Sequence, residues 1–491
     1  MDSQTRDIDA QAHDEKNIAF YGDEKALSSS PAESVDEVTW TPEEEKRLVR
    51  KIDCLVMPLL ILAFFALQLD RGNIGNALTD FFMEDVGITQ NQFNVGQQLL
   101  SLGIVIWEIP MMMVLYRLGP SIWLSAQIFT WGLVATFQAF QHGYGPYLAT
   151  RFLLGTCESG FIPAGFYTIT RWYKRDETSK RFSIFFLGNM TVQALGGDIA
   201  YGVLHMRGVA GLTGWQWLFI IEGMITIVVG VIFFITFPKG PDHPVSLTKI
   251  RWFTEHESRI LVQRVLNDDP TKRPTSKNVT KAELKRTLTN WRLLPHIILT
   301  ICGLSPCSTL LSYGPTLVAG LGYGRLEANA MVSIGPWCMV VLNVIWGLTA
   351  DKIGVRGPVM LVGMFFWWIF LIGNRIVVFD PDQTTRFALL IVAYMWSQIW
   401  HPINGSWMAM NAKSAGERSI TLAIMIMSAN SGGIIGSQYF RAGDAPLYEF
   451  GWTLIVAMVS VAFVCTIWAN VQYWVLNRRE AKKGSDLRYV Q

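Results

Sequence analysis

Apolar runs of about 20 residues recur along the chain, divided by short polar or charged stretches. Such a run, as a helix rising ~1.5 Å per residue, crosses the hydrocarbon of a bilayer. Twelve runs have this character, near 52–78, 93–116, 121–140, 146–170, 183–206, 215–237, 293–318, 328–350, 357–378, 385–410, 417–438 and 451–475. A polar segment, 238–292, separates the sixth from the seventh. It contains "EHESRILVQRVLNDD", whose spacing predicts a short amphipathic helix. The pattern predicts an all-α membrane protein of twelve transmembrane helices. Its expected parts are a disordered acidic cytosolic tail (1–50), a six-helix bundle (51–237), a cytosolic linker (238–292), a second six-helix bundle (293–476) and a basic cytosolic tail (477–491).

Composition agrees with this pattern. Of 491 residues, 51% are apolar and only 16% charged, against about 25% charged in soluble domains. The amino terminus lacks the shape of a signal peptide. Residues 1–45 hold 13 acids and 3 bases, a solvated tail expected to stay in the cytosol. With both termini inside, 34 of the 41 Lys and Arg residues are cytosolic, as retention of positive charge requires. The "NVT" sequon at 278–280 then lies in the cytosol and is read as unused. A net charge of +2 gives no reason to expect a nucleic-acid partner. The six cysteines (54, 157, 302, 307, 338 and 465) all sit in apolar stretches without metal-ligand spacing, so they read as small buried hydrophobes. No phosphate-binding GxxxxGK[ST] loop occurs. Uphill transport would therefore draw on another gradient. No cofactor or metal is expected, and no nucleophile–base set points to an enzyme.

The stretch "FFALQLDRGNIGNAL" (64–78) places Asp70 and Arg71 inside an apolar run. An ionisable group at such a depth costs a few kcal/mol or more and normally faces a bundle interior or a water-filled cavity. By helical rise, Asp70 and Arg71 lie ~28–30 Å from the cytosolic edge, Arg151 ~30 Å and Glu158 ~20 Å. Arg151 and Glu158 are two turns apart and share a face. If the first and fourth spans adjoin, two acids and two bases converge. The arginines can hold a carboxylate through charge-assisted hydrogen bonds, and Asp70 and Glu158 compete for the same guanidinium groups. Anion binding then favours proton uptake, the coupling that symport needs. The alternative is that both pairs are packing ion pairs. Asp198 and Glu222 also fall inside spans, where structural and functional roles are equally open.

The second half has no matching acid–base cluster. It offers His401, Asn404 and Asn411 in the tenth span, Asn430 and Gln438 in the eleventh, and Ser305, Ser308 and Tyr313 in the seventh. His401 and Asn430 both fall ~18 Å from the cytosolic charges and suit hydrogen bonding to a polar substrate; a His401 satisfied by backbone is the alternative. Tyr313 could cap a cavity from outside. Asn189 and Gln193 of the fifth span are substrate contacts or packing residues.

The loop "GLTADKIGVRGPVM" (347–360) closely resembles the cytoplasmic loop signature of the major facilitator superfamily, with Asp351, Lys352, Gly354 and Arg356 in place. The matching loop of the first half, "VLYRLGPSIWL", keeps Gly119 but has Tyr116 where an Asp is expected. Within that superfamily the chain resembles the anion:cation symporter family. More narrowly, it resembles the fungal allantoate/nicotinate/pantothenate permease group. "LDRGNIGNA", "RFLLGTCESGFIPAGFYTITRWYKRDE", "LHMRGVAGLTGWQWLFIIEG" and "SANSGGIIGSQYFRAGDAPLY" carry that likeness.

The resemblance implies two pseudo-symmetric six-helix bundles with alternating access to a site between them. It implies that Asp70, Arg71, Arg151 and Glu158 form the proton-coupling and anion-binding core, and that Asn430 faces the substrate. The expected activity is proton-coupled import of a small organic anion such as nicotinate, pantothenate, biotin or an allantoate-like metabolite. The expected setting is a monomer in the plasma membrane. Drug/proton antiporters of the superfamily usually carry a Gly-Pro-rich fifth span, whereas "FFLGNMTVQALGGDIAYG" has no proline. Export of a secondary metabolite and a non-transporting nutrient receptor remain the alternatives.

Overall fold

A computed structural model of the chain describes residues 39–268, 281–412, 415–483 and 489–490. The described spans are, in order, Pro42–Ala77, Gln90–Leu118, Pro120–Phe137, a fourth in two pieces (Tyr144–Glu158 and Phe161–Trp172), Arg175–Leu204 and Gly214–Thr236. They continue with Leu294–Gly320, Glu327–Ile353, Gly357–Ile376, a tenth in two pieces (Gln383–Trp396 and Trp400–Met410), Ala415–Gly436 and Glu449–Lys482. Seven of these helices are long and apolar enough to cross a membrane on length and composition alone. Others fall short because they are broken, or because they hold amides and acids, as the fifth does with Asn189, Gln193 and Asp198.

Several boundaries differ from those expected. The first helix starts at Pro42, so the division at 50/51 falls inside it. Glu43, Glu44 and Glu45 occupy its first turn, where acids complement the helix dipole. The last helix runs to Lys482, past 476, and ends on Arg479 and Lys482, which suit a helix C-terminus. Apolar run length reports where the bilayer ends, not where the helix ends. The "NVT" sequon and most of the acidic tail lie outside the described residues.

The linker helix forms at Glu255–Asp268, and a second, Lys281–Leu288, was not anticipated. The first is held on the end of the bundle by charge. Arg264, fully buried, pairs with Glu45 at 3.1 Å and Glu177 at 2.5 Å. Lys51 pairs with Glu257 at 2.8 Å.

Spans pack through small residues. The third lies on the sixth, the second on the fourth, the seventh on the eleventh, the fifth on the eighth and the second on the eleventh. A methyl group at Gly155 would overlap the Leu100 carbonyl, and one at Gly436 would overlap the Ser305 carbonyl. Close backbone approach of this kind drives helix association where lipid removes the hydrophobic incentive.

Candidate functional site

Adjacent residues on a helix point about 100° apart, so Asp70 and Arg71 address different neighbours. Arg71 turns to the fourth span, where its Nε donates to Glu158 Oε2 at 2.5 Å. Asp70 turns to the sixth span and accepts from Thr226 Oγ1 at 3.1 Å. Glu158 is fully enclosed, whereas the Arg71 side chain is 16% exposed. Arg71 is therefore the open end of the pair.

Arg151 lies two turns from Glu158 on the same helix. It is fully buried, and none of its three guanidinium nitrogens has a hydrogen-bond partner among the described residues. Its charge rests on the rings of Tyr147 and Phe219, 5.8 and 5.9 Å from their centroids. Glu158 and Asp70 are both within its electrostatic reach. The four charged residues expected to converge do so, as one direct ion pair flanked by two groups held at longer range. Cation–π contact offsets only ~2 kcal/mol of a buried cation's cost. The guanidinium donors of Arg151 are thus left unsatisfied among the described residues.

The fourth span breaks beside Glu158. Ser159 is extended (φ −61°, ψ 139°) and Gly160 adopts a left-handed φ of +76°, which glycine tolerates without strain. Side chains from neighbouring spans satisfy the break. Glu108 Oε2 accepts from the Gly160 N–H at 3.0 Å and from Ser159 Oγ at 3.4 Å. Gln127 Nε2 donates to the carbonyls of Cys157 and Ser159 at 2.9 and 2.6 Å. Glu108 escaped the sequence reading, although an acid in "GIVIWEIPMMM" was a visible signal. Arg71 is within its electrostatic reach.

A row of amides crosses between the halves near the middle of the spans. Gln68 donates to Asn189, Gln193 Nε2 lies 3.4 Å from Asn189 Oδ1, and Gln193 meets Gln398 of the tenth span at 3.1 and 3.3 Å. Asn189 and Gln193 are thus brought onto one polar strip that starts a turn from Arg71. Gln398 is a member that sequence reasoning missed. His401 is half-buried, stacks edge-on against Trp400, and its Nδ1 has no partner among the described residues. The reading of it as backbone-satisfied does not hold for that atom. Asn430 is half-buried and bonds back to Ile426 of its own helix.

Asn404 is a correction. It is fully buried, lies 2.6 Å from His296 Nδ1 and donates to Thr300 Oγ1 at 3.0 Å. Both ends of its amide are used in joining the seventh and tenth spans, so it lines no site here. In the signature loop, Gly354 takes a φ of +76° and closes the eighth span by donating to the Ala350 carbonyl at 3.0 Å. This is the left-handed cap that glycine favours. Lys352 is exposed and Arg356 half-buried, while the side chains of Asp351 and Tyr116 lie outside the described set.

Tyr313 sits at the end of the bundle remote from both termini, in a seam that joins the halves. It donates to Asn94 of the second span. Asn94 in turn donates to the Phe440 carbonyl at 2.7 Å, and Gln90 reaches Tyr448 at 3.1 Å. Phe93, Phe440 and Tyr448 pack around the Tyr313 ring. Asn329 donates to Thr79 at 2.8 Å across the first and eighth spans. Asp198, unexplained by the sequence, accepts from the Trp337 indole at 3.2 Å between the fifth and eighth. The remote end is therefore joined between halves by neutral hydrogen bonds, by aromatic contact, by the Asp198–Trp337 bond and by Arg325 lying 3.6 Å from the Phe81 ring centroid.

Known proteins resemble this chain in sequence and in fold. The family model described as Major Facilitator Superfamily matches residues 60–437. The "Uncharacterized transporter YIL166C" of Saccharomyces cerevisiae (strain ATCC 204508 / S288c) is 30% identical over 458 residues, covering 92% of this chain and 84% of the relative. The "MFS-type transporter cnsO" of Penicillium expansum is 28% identical, covering 90% and 85%. Among solved structures, a D-xylose-proton symporter superposes with a TM-score of 0.65 at 15% identity, over 84% of this chain and 96% of that one. A bacterial homologue of the human lysosomal transporter Spinster, inward-facing and unoccupied, gives 0.65 at 13% identity, over 88% and 97%. At such identities the structures speak for the fold alone.

Proposed function

The chain belongs to the major facilitator superfamily, and on that premise we propose that it imports a small organic anion together with a proton. Membership makes it a multi-pass membrane protein that carries small molecules. The finer reading rests on one observation above all. Arg151 is buried with every guanidinium donor unused, beside an Arg71–Glu158 pair that is open on the arginine side.

In this reading a carboxylate enters from the amide strip and takes the donors of Arg71 and Arg151. Arg71 then turns from Glu158. A carboxylate stripped of its cation in a low-dielectric interior is costly, so Glu158 takes a proton, and Asp70, facing Arg151, does the same or shares the load. With one anion and one proton bound, the site keeps the zero net charge it has when empty, and the bundles can rock across it. Anion and proton each favour the other's binding by the same factor. The alternative of two packing ion pairs leaves the bare donors of Arg151 without a purpose.

The substrate class proposed is a monocarboxylate vitamin or nitrogen-source metabolite. Cytosolic termini are proposed from the placement of Lys and Arg. Residence in the plasma membrane as a monomer is proposed from the family likeness. The test is uptake of labelled nicotinate, pantothenate, biotin and allantoate by cells lacking their own permeases, at several pH values. Accumulation that rises as external pH falls and collapses with a protonophore is expected. Uptake indifferent to the protonophore would rule out the coupling. ATP-independent loading of inside-out vesicles only would reverse the direction.

A further inference from the structure

We propose that Glu222 of the sixth span and Asp70 of the first form one carboxyl pair, with Glu222 as its buried proton-holding end. This rests on the proton-coupled reading above and adds a residue to it. Glu222 is 1% exposed, and neither of its oxygens has a hydrogen-bond partner among the described residues. It sits four residues before Thr226, hence on the same helix face, and Thr226 donates to Asp70. Glu222 is within electrostatic reach of Asp70.

The charged and titratable groups on neighbouring elements have other engagements. Arg71 is on Glu158, and Arg151 lies over Tyr147 and Phe219. The third span, packed closely on the sixth, contains no charged residue. On the fifth, Asp198 is bound by Trp337. At the remote end Asp80 and Asp85 both pair with Arg207 at 2.8 Å. Among the described residues, therefore, no cation compensates Glu222.

Two neighbouring carboxyls in apolar surroundings do not both ionise, and they release protons as a pair and not singly. Asp70, though buried and near the Glu158 carboxylate, has the Thr226 hydroxyl and Arg151 beside it, whereas Glu222 has neither a donor nor a cation among the described residues. The pair holds one proton, on Glu222, while no anion is bound. When an anion takes Arg151, Asp70 loses its counter-charge and the pair accepts a second proton from solvent. Glu222 sets this response by keeping Asp70 beside a neutral acid that can hand a proton across.

The experiment is difference infrared spectroscopy of the full-length protein in nanodiscs, reading the carbonyl band of protonated carboxyls, with nicotinate as the probe. The anion-free protein is expected to show a band that Glu222→Gln removes and Asp70→Asn leaves in place. Nicotinate is expected to add a second component that Asp70→Asn removes. A band kept by Glu222→Gln and lost in Asp70→Asn overturns the proposal, because the proton then belongs to Asp70 alone. In proteoliposomes, the ratio of accumulation to exchange should fall about tenfold in Glu222→Gln, as expected for loss of a typical coupling energy, and recover in part in Glu222→Asp. An unchanged ratio in a monodisperse Glu222→Gln protein also overturns it. If the wild type moves no nicotinate, the transport reading is at fault, and the carboxyl band without nicotinate still decides the pair.

Discussion

The fourth and tenth spans occupy matching places in the two halves, and both are interrupted midway, by different means. In the fourth, Ser159 is extended and Gly160 left-handed, and the freed backbone groups are taken by Glu108 and Gln127. In the tenth, Ser397 and Ile399 keep right-handed helical angles. The Ser397 carbonyl there accepts from the Trp400 indole at 3.0 Å and the Cys307 thiol at 3.5 Å. One break is a true change of direction held by a carboxylate; the other is a loosened turn held by neutral groups.

The contrast extends to each half as a whole. The first half carries Asp70, Arg71, Glu108, Arg151, Glu158 and Glu222 among its described interior groups, while the second offers Gln398, His401 and Asn430. At the end bearing the termini, the first half holds the Glu255–Asp268 helix by ion pairs. The second holds Tyr489 and Val490 by the amides of Asn477 and Asn411, at 2.8 and 2.9 Å. Interrupted helices free backbone groups that can line a cavity. Among the described residues, the charged break alone has carboxyl groups beside it.

The sharpest way to break this comparison is to remove Arg151, whose guanidinium has no hydrogen-bond partner among the described residues. Arg151→Gln should lower initial uptake by about a hundredfold, the scale of a lost charge-assisted carboxylate contact. Gln398→Ala on the neutral side should raise KM only about threefold, as for a lost neutral hydrogen bond. Comparable losses in labelled-substrate uptake would erase the division of labour. Next, Glu158→Gln should reduce steady-state accumulation about tenfold, with exchange less affected, as loss of proton linkage predicts. Full accumulation in that variant would remove Glu158 from the coupling.

The caps themselves can be compared by thermal unfolding in detergent. Glu108→Ala leaves the Gly160 N–H bare and should cost about 1–3 kcal/mol, while Ser397→Ala, whose carbonyl contacts persist, should cost under about 1 kcal/mol. Equal shifts would show that the two breaks are held alike.

The smallest effect expected is at the linker. Partial burial pushes Glu257 up, but the Lys51 ammonium and the Thr254 N–H outweigh it and hold the carboxyl below its usual range. A lowered value in the folded state means stabilisation above the ordinary carboxylate range, lost as pH falls through the folded value. Both side chains are partly exposed, so the pair contributes ~1 kcal/mol at most. Hydrogen exchange in Glu255–Asp268 should rise at acid pH, and Lys51→Ala should reproduce that rise at neutral pH. Exchange around Asn411 and Asn477 should not change. A matching rise there would mean that the whole end loosens together.

Much of this was legible in the chain. Twelve apolar runs and the polar linker follow from hydropathy and spacing, which are local properties, and the loop signature was legible by its resemblance to a known family. That Asp70, Arg71, Arg151 and Glu158 belong together followed from the cost of burying charge at similar depth. Other features were not legible, because they depend on which faces meet. The Asn404 amide looked available until His296 and Thr300 took both its ends. Gln398 and Glu108 gained meaning only from Gln193 and Gly160, on other spans.

Residue order and hydrophobic periodicity by themselves determined a helical membrane protein with scarce charges in its interior, because a bilayer penalises every unpaired polar group and leaves few ways to place one. Tertiary structure alone decided that neighbours Asp70 and Arg71 serve different spans, that the fourth span breaks beside Glu158, and that Arg151 is left with donors to spare. Those outcomes rest on helix rotation and on contacts between residues far apart in the chain, which no local pattern encodes.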